Sequence, residues 1–327
     1  MTTGYRASRA EHVVSRGLDL TTYSGELIVL MGPNGSGKST LMQTIAGLLR
    51  PLSGEVNIAG HPIQNIKDKE RAKLMSLVLT ERIEHTNLTV WDIITTGRYP
   101  YLGQRGKLRP DDIDILQYCL KLCNLQTMAQ RRFSELSDGE KQRVMIARAL
   151  AQETPLMLLD EPTAHLDLPS RLEVLTMLRR LARELGKSIL VSTHELDLAL
   201  QWADGIWLFD RGGGVCAGAP EELVLSGDIE RVFGNERLHF DPSSGEFRLI
   251  TNNQQALRLS AEGITLAWAT RALQRMGYDV VSDSQVHCPI VEAHKLGWLL
   301  RCHGHEFIAH NLSDLQKLLY DRYPIQV

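Results

Sequence analysis

Cysteine is sparse, with five residues in a chain of 327. That is no disulfide framework, and a reducing compartment is expected. No apolar run approaches the ~18–20 residues that cross a bilayer. The stretch Met1–Arg9 also lacks the apolar core of a signal peptide. An excess of one charge sign is missing, because 36 basic and 39 acidic side chains leave a formal net charge of −3. A phosphate-backbone binder draws its affinity from a large positive excess, so nucleic acid is not an expected partner. Internal repeats and low-complexity tracts are absent as well. With 43% hydrophobic and 23% charged residues the balance is globular rather than disordered. These absences leave a soluble, intracellular chain with room for about two domains.

Short apolar runs alternate with segments of helical period up to about Phe240. The runs Glu26–Met31, Leu156–Leu159, Ser188–Ser192 and Ile206–Phe209 read as buried strands. Between and around them, Ser39–Leu49, Pro110–Leu122, Gly139–Ala151, Ser170–Leu185 and Leu196–Ala203 read as helices. Such alternation predicts an α/β fold around a mainly parallel sheet. The turn-rich connector Asp241-Pro242-Ser243-Ser244-Gly245 then changes the pattern. Beyond it, strands are expected at Ala256–Leu259, Tyr278–Val281, Val286–Glu292, Trp298–Arg301 and Glu306–Ala309. Helices are expected at Glu262–Met276 and at Asp314–Tyr320, the latter capped by Ser313. The division expected is therefore 1–244 followed by a small α+β domain, 245–327.

Gly32-Pro33-Asn34-Gly35-Ser36-Gly37-Lys38-Ser39-Thr40 matches the P-loop pattern G-x-x-x-x-G-K-[ST], between a buried strand and a helix. Its glycines let backbone N–H groups turn inward around phosphate oxygens, and the helix N-terminus adds partial positive charge. Lys38 is expected to reach the β/γ-phosphates and the Ser39 hydroxyl to ligate Mg²⁺. The strand Leu156–Leu159 ends in Asp160-Glu161, which fits a Walker B motif. Asp160 would then stand beside the Mg²⁺ shell, and Glu161 would polarise the attacking water.

Further motifs follow in a fixed order. Leu136-Ser137-Asp138-Gly139-Glu140 resembles the signature loop of ATP-binding-cassette ATPases, Ala164-His165-Leu166-Asp167 their D-loop, and Ser192-Thr193-His194 their switch histidine. Tyr5 sits where this family has an aromatic that stacks on adenine. The resemblance spans Tyr5 to His194 and implies a P-loop NTPase cassette, with a RecA-like parallel-sheet core and a helical subdomain over about 85–150. It implies ATP and Mg²⁺ as cofactors, with Ser137, Asp138, Gly139, Glu140 and Asp167 at the nucleotide and His194 against the γ-phosphate. The family's two-fold head-to-tail homodimer places the signature on the partner's ATP. Ser137 independently reads as the N-cap of a helix, a second anion-binding end.

Three positions depart from the family. Asp138 stands where it usually has Gly, and Glu140 where it usually has Gln. A carboxylate there disfavours an incoming phosphate unless it points outward or caps an N–H. The glutamine that links Mg²⁺ to the transmembrane partner falls on Thr80, with Glu81 as the alternative substitute. Only Met1–Gly4 precede Tyr5, where the family usually has a short strand.

The stretch Asn87-Leu88-Thr89-Val90-Trp91-Asp92, followed by Gly97-Arg98-Tyr99-Pro100-Tyr101, resembles ATPases of metal-chelate importers, which carry ferric siderophores, haem or cobalamin. That likeness implies a separate membrane permease, a periplasmic or surface substrate-binding protein acting indirectly, and a place on the cytoplasmic face of the membrane. Trp91, Tyr99 and Tyr101 have a plainer reading as core aromatics. Glu140-Lys141 is shared with the soluble ATPase of iron–sulfur cluster assembly, one competing reading, and an ABC subunit for another cargo, including an exporter with the same hydrolytic site, is the other. In the last domain, His287-Cys288 and Cys302-His303-Gly304-His305 read as strand residues and a hairpin turn, with a metal site as the alternative. Cys119 and Cys123 are expected on the core face of a helix.

Overall fold

The structure, a computed structural model, describes residues 1–7, 10–79, 87–103, 106–249, 255–281 and 288–324. An antiparallel pair, β1 (Thr3–Ala7) and β2 (Ala10–Ser15), opens the chain. Tyr5 therefore lies within a strand and needs none ahead of it. Next comes β3 (Leu27–Met31), five apolar residues that are all buried. A strand apolar at every position cannot face water on either side, so it takes the centre of a sheet. The P-loop leads from β3 into α1 (Lys38–Ile45). A small hairpin, β4 (Asn57–Ile58) and β5 (His61–Pro62), and the single turn α2 (Asp68–Arg71) precede β6 (Met75–Val78).

The helical part follows as α3 (Val90–Thr95), the 3-10 segment Thr96–Tyr101, α4 (Pro110–Leu122) and α5 (Asp138–Ala151). A capping box opens α3, in which Thr89 Oγ1 accepts from the Asp92 N–H at 3.1 Å and Asp92 accepts from the Thr89 N–H at 2.9 Å. Leu116, Cys119, Cys123 and Ile146 bury against Leu159 and Val191, joining this layer to the sheet. Burial raises the Cys119 thiol to about 12 and pushes Cys123 higher still, so both stay protonated core residues. Then come β7 (Leu156–Asp160), α6 (Leu168–Leu185), β8 (Ser188–Ser192), α7 (Leu196–Trp202), β9 (Gly205–Phe209) and β10 (Val215–Gly218), followed by α8 (Pro220–Leu225) and α9 (Asp228–Phe233). The six-stranded sheet runs β10-β9-β3-β8-β7-β6. All its pairings are parallel except β9 with the edge strand β10. Parallel order brings the ends of β3, β7 and β8 out on one side, which positions the site.

Two compact units divide the chain: Met1–Gly234 with Phe240–Phe247, and Asn235–His239 with Arg248–Val327. The division falls within the hairpin β11 (Leu238–Asp241) and β12 (Glu246–Leu249). The second unit contains β13 (Gln255–Ser260), α10 (Gly263–Arg275), β14 (Tyr278–Val281), β15 (Ile290–His294), β16 (Gly297–Cys302), β17 (His305–Ala309) and α11 (Leu312–Arg322). Its sheet has the order β14-β13-β15-β16-β17, and Leu257, Leu273, Trp298, Leu300 and Leu319 form its core. His303 (φ 52°) and Gly304 (φ 78°) are both left-handed, which is what a two-residue hairpin loop between Cys302 and His305 requires. Cys302 is buried, while His287 lies outside the described residues, as does part of the strand expected at Val286–Glu292. Ser313 is not the cap of the last helix. Asn311 is, because its Oδ1 accepts from the Asp314 N–H at 2.9 Å, and the helix begins at Leu312. Among the described residues, no helix is long and apolar enough to cross a membrane.

Candidate nucleotide-binding site

The P-loop backbone has a shape that side chains would prevent. Gly32 has φ 145°, and a Cβ there would stand 2.4 Å from the Phe209 carbonyl oxygen. Gly37, at φ 107°, would drive a Cβ to 2.7 Å from Val14 Cγ1. Gly37 is also the N-cap of α1 and offers no side chain to its first N–H groups, nor does an acidic residue stand in the first turn. Those donors remain available to an anion. Lys38 is buried, with Nζ donating to the carbonyls of Gly32 (2.8 Å) and Pro33 (3.0 Å). Desolvation lowers its pKa, and the carboxylates of Glu161 and Asp160 act in the opposite direction. The buried Ser36 hydroxyl has no hydrogen-bond partner among the described residues. A buried ammonium, an orphaned hydroxyl and uncapped N–H groups around one loop fit a polyphosphate.

The carboxylates come from the adjoining strand ends. Asp160 and Ser192 are register partners on β7 and β8. The Ser192 hydroxyl donates to Asp160 Oδ1 at 2.5 Å and accepts from the Glu161 N–H at 3.0 Å, so one side chain orients both acids. Glu161 has φ 47°, a left-handed value uncommon for a residue with a Cβ, and its Oε1 lies 2.5 Å from His194 Nε2. Tyr5 reaches Thr40, with 3.0 Å between the phenol oxygen and Oγ1. A cavity of about 450 Å³ collects these groups, and Tyr5, Lys38, Ser39, Asp160, Glu161 and His194 line it. The Ser39 hydroxyl and the Asp160 carboxylate are hard oxygen donors of the kind Mg²⁺ takes.

Three residues on the cavity wall were given no role from the sequence, His12, Val14 and Ser192. His12 faces Tyr5 across the β1–β2 pair. Only strand register reveals that neighbourhood. Ser192 had a visible signal, since it stands two residues before His194.

The signature and D-loop residues lie elsewhere. Ser137 caps α5, its Oγ accepting from the Glu140 N–H at 3.3 Å, and the Glu140 carboxylate accepts from the Ser137 N–H at 2.8 Å. That backbone donor holds Glu140 below the usual carboxylate range. Glu140 thus caps an N–H, while Asp138 lies 3.9 Å from Lys141. Asp167 caps α6, accepting from the Ser170 N–H at 3.0 Å. A Cβ on Gly139 would stand 2.8 Å from Ser170 Oγ, so the starts of α5 and α6 adjoin. None of Ser137, Asp138, Gly139, Glu140 and Asp167 lines the P-loop cavity. The residues expected at the nucleotide therefore fall into two separate clusters within one chain. Thr80, like Glu81, lies outside the described residues.

A glycine loop between a central parallel strand and a helix, with paired acids at a neighbouring strand end, defines a P-loop nucleoside triphosphatase. Comparison with known proteins narrows that class. Residues 15–164 match the ABC transporter family, and residues 254–320 match the iron ABC transporter C-terminal domain. An uncharacterized ABC transporter ATP-binding protein of Methanocaldococcus jannaschii is 37% identical over 272 residues, 83% of this chain and 94% of that protein. The petrobactin import ATP-binding protein of Bacillus anthracis is 35% identical over 240 residues, 73% of this chain and 88% of that protein. A bacterial ABC transporter cassette solved as a dimer superposes with a TM-score of 0.57 at 29% identity, covering 67% of this chain and 96% of that one. The chain belongs to the ABC transporter ATP-binding proteins and is an ATPase of that family.

Proposed function

We propose that this ATPase powers the import of an iron chelate, a ferric siderophore or a related metal chelate, through a separate membrane permease. The observation that carries the cargo class is the pairing, in one chain, of the cassette match with an iron-type C-terminal domain at 254–320. The petrobactin import relative supports it. In this reading residues 1–244 form the ATPase domain, with a helical subdomain at about 85–150, and 245–327 are accessory. The protein sits peripherally on the cytoplasmic face of the membrane, and a substrate-binding protein delivers cargo from the other side.

Lys38 and the P-loop N–H groups of Gly32 to Thr40 hold the phosphates, and Tyr5 stacks on the base. Ser39 and Asp160 would hold Mg²⁺, which when bound neutralises charge on the β- and γ-phosphate oxygens. Glu161, steadied by His194 at one oxygen, orients water with the other and takes its proton as water oxygen bonds to the γ-phosphorus. The bond to the β–γ bridging oxygen breaks, giving ADP and phosphate. The separation of Ser137–Glu140 and Asp167 from the cavity supports a homodimer in which each chain completes its partner's site. Glu161→Gln tests these roles. It is expected to bind ATP, hydrolyse it at least ~100-fold more slowly, and accumulate as an ATP-dependent dimer. Ordinary turnover in that variant would remove Glu161 from the role of base.

A further inference from the structure

In the segment Gly97–Tyr101, which resembles importer ATPases in sequence, Tyr99 is exposed but Gly97 and Arg98 point inward. Arg98 is 4% exposed and Asp112 5%. Arg98 Nε donates to Asp112 Oδ1 at 2.9 Å, while Nη1 donates to the Ala151 carbonyl and to Glu153 Oε2, both at 2.7 Å. The guanidinium also lies over the Tyr101 ring, 4.2 Å from its centroid, and the Tyr101 hydroxyl donates to the Gln152 carbonyl at 2.8 Å. Gly97 packs so closely that a Cβ would stand 2.2 Å from the Arg148 carbonyl oxygen. The contacts to Arg148, Ala151, Gln152 and Glu153 grip the last turn of α5 and the two residues that follow it, while Asp112 ties Arg98 to α4. The same turn is bound to the edge of the sheet, because Gln152 Nε2 donates to the carbonyls of Ala72 and Met75, and Arg148 Nη2 to that of Leu77 at 3.1 Å.

From this geometry we infer that Arg98, Tyr101 and Gln152 are positioning residues for the composite ATP site, setting the direction of α5 and hence the place of its signature end. The inference rests on the reading that Ser137 and Gly139 complete the partner's site. Helix α5 has 14 residues and so spans ~21 Å from knot to signature. A tilt of about 3° about the knot moves the signature end by ~1 Å. Misplacement on that scale costs up to about 100-fold in rate. The P-loop cavity is fixed independently by β3, β7 and β8, so nucleotide held within one chain does not feel the tilt. Gln152 and Arg148 also tie the strand β6 to the helix that carries the signature. Movement of that strand therefore reaches the second cluster through α5.

Removing Arg98 would strand Asp112 and Glu153 and risks unfolding the chain, so the test uses Gln152→Met and Tyr101→Phe. Tyr101→Phe keeps the ring beneath Arg98 and loses only the hydroxyl bond. Three quantities are measured on the full chain: ADP affinity by calorimetry, melting temperature, and the steady-state ATPase rate. ATP-driven dimerisation is measured for each substitution combined with Glu161→Gln. The result expected for Gln152→Met is ADP affinity within about twofold and a near-unchanged melting temperature, with kcat lowered about tenfold and a weakened dimer. For Tyr101→Phe the same pattern is expected at smaller amplitude. Unchanged kcat and dimerisation, or a parallel fall in ADP affinity, melting temperature and kcat, would overturn the inference. If Glu161→Gln alone gives no ATP-driven dimer, the composite-site reading fails first and takes the inference with it.

Discussion

At the scale of single residues, the chemistry concentrates in side chains that have given up water for fixed partners. Lys38 is the clearest example, a buried amine resting on two carbonyls and facing two carboxylates. Replacing it with Ala removes a charged donor to phosphate, a contribution of about 1.5–3 kcal/mol. ATP affinity is then expected to fall about 10- to 100-fold, and calorimetry on the Glu161→Gln background reads it without turnover. Retained tight binding would contradict the phosphate assignment. The P-loop residues and acids were legible in the sequence because local spacing alone specifies them. The pairing of Ser192 with Asp160 was not, nor was the place of His12, since Ser192 meets Asp160 across β7 and β8 and His12 meets Tyr5 across β1 and β2. Such meetings depend on strand register, which spacing along one strand does not encode.

At the scale of elements, the buried strands and long helices were the readable part. Ser188–Ser192 and Pro110–Leu122 take the bounds the pattern implies, because burial on both faces or on one helical face leaves a strong periodicity. The pair β1 and β2 was missed, as Thr3-Gly4-Tyr5-Arg6 has no apolar run and no alternation. The edge strands β6 and β10 were missed too, being only four residues each. In the last helix, Asn311 and Ser313 are both good caps by residue type, and only the position of the first turn decides between them.

The junction of α4 with the 3-10 segment makes a testable demand on pH. The Arg109 N–H, and then Arg98, hold Asp112 below the usual carboxylate range. A carboxylate with a depressed folded pKa stabilises fully above its unfolded value of ~4 and loses that contribution as pH falls through the folded value. Asp112→Asn is expected to cost about 2 kcal/mol at neutral pH. The variant's melting temperature should then decline less than the parent's between pH 7 and pH 3. An identical decline in the two proteins would show that Asp112 is not part of the acid response.

At the scale of the whole molecule, function was legible through the order of motifs rather than through any one of them. Chance accounts easily for a solitary histidine after a strand or a capped helix, but not for a P-loop, signature, Walker B and D-loop in sequence. The second unit was legible as a fold and not as a role. Its His303-Gly304 turn is a hairpin dictated by two left-handed residues, and Cys302 belongs to its core. Among the described residues of the chain, no group of three or more His, Cys, Asp and Glu is placed to hold a metal ion. Read residue by residue that unit named no cargo, and the cargo class rests on its match to the iron ABC transporter C-terminal domain.

The most direct measurement is affinity purification of the Glu161→Gln chain from native membranes in the presence of ATP. Iron-chelate import predicts recovery of a polytopic permease, absent from a Lys38→Ala control, whose associated binding protein takes up ferric chelates. Recovery of soluble partners alone, such as components of iron–sulfur cluster assembly, would contradict the import role while leaving the ATPase chemistry intact.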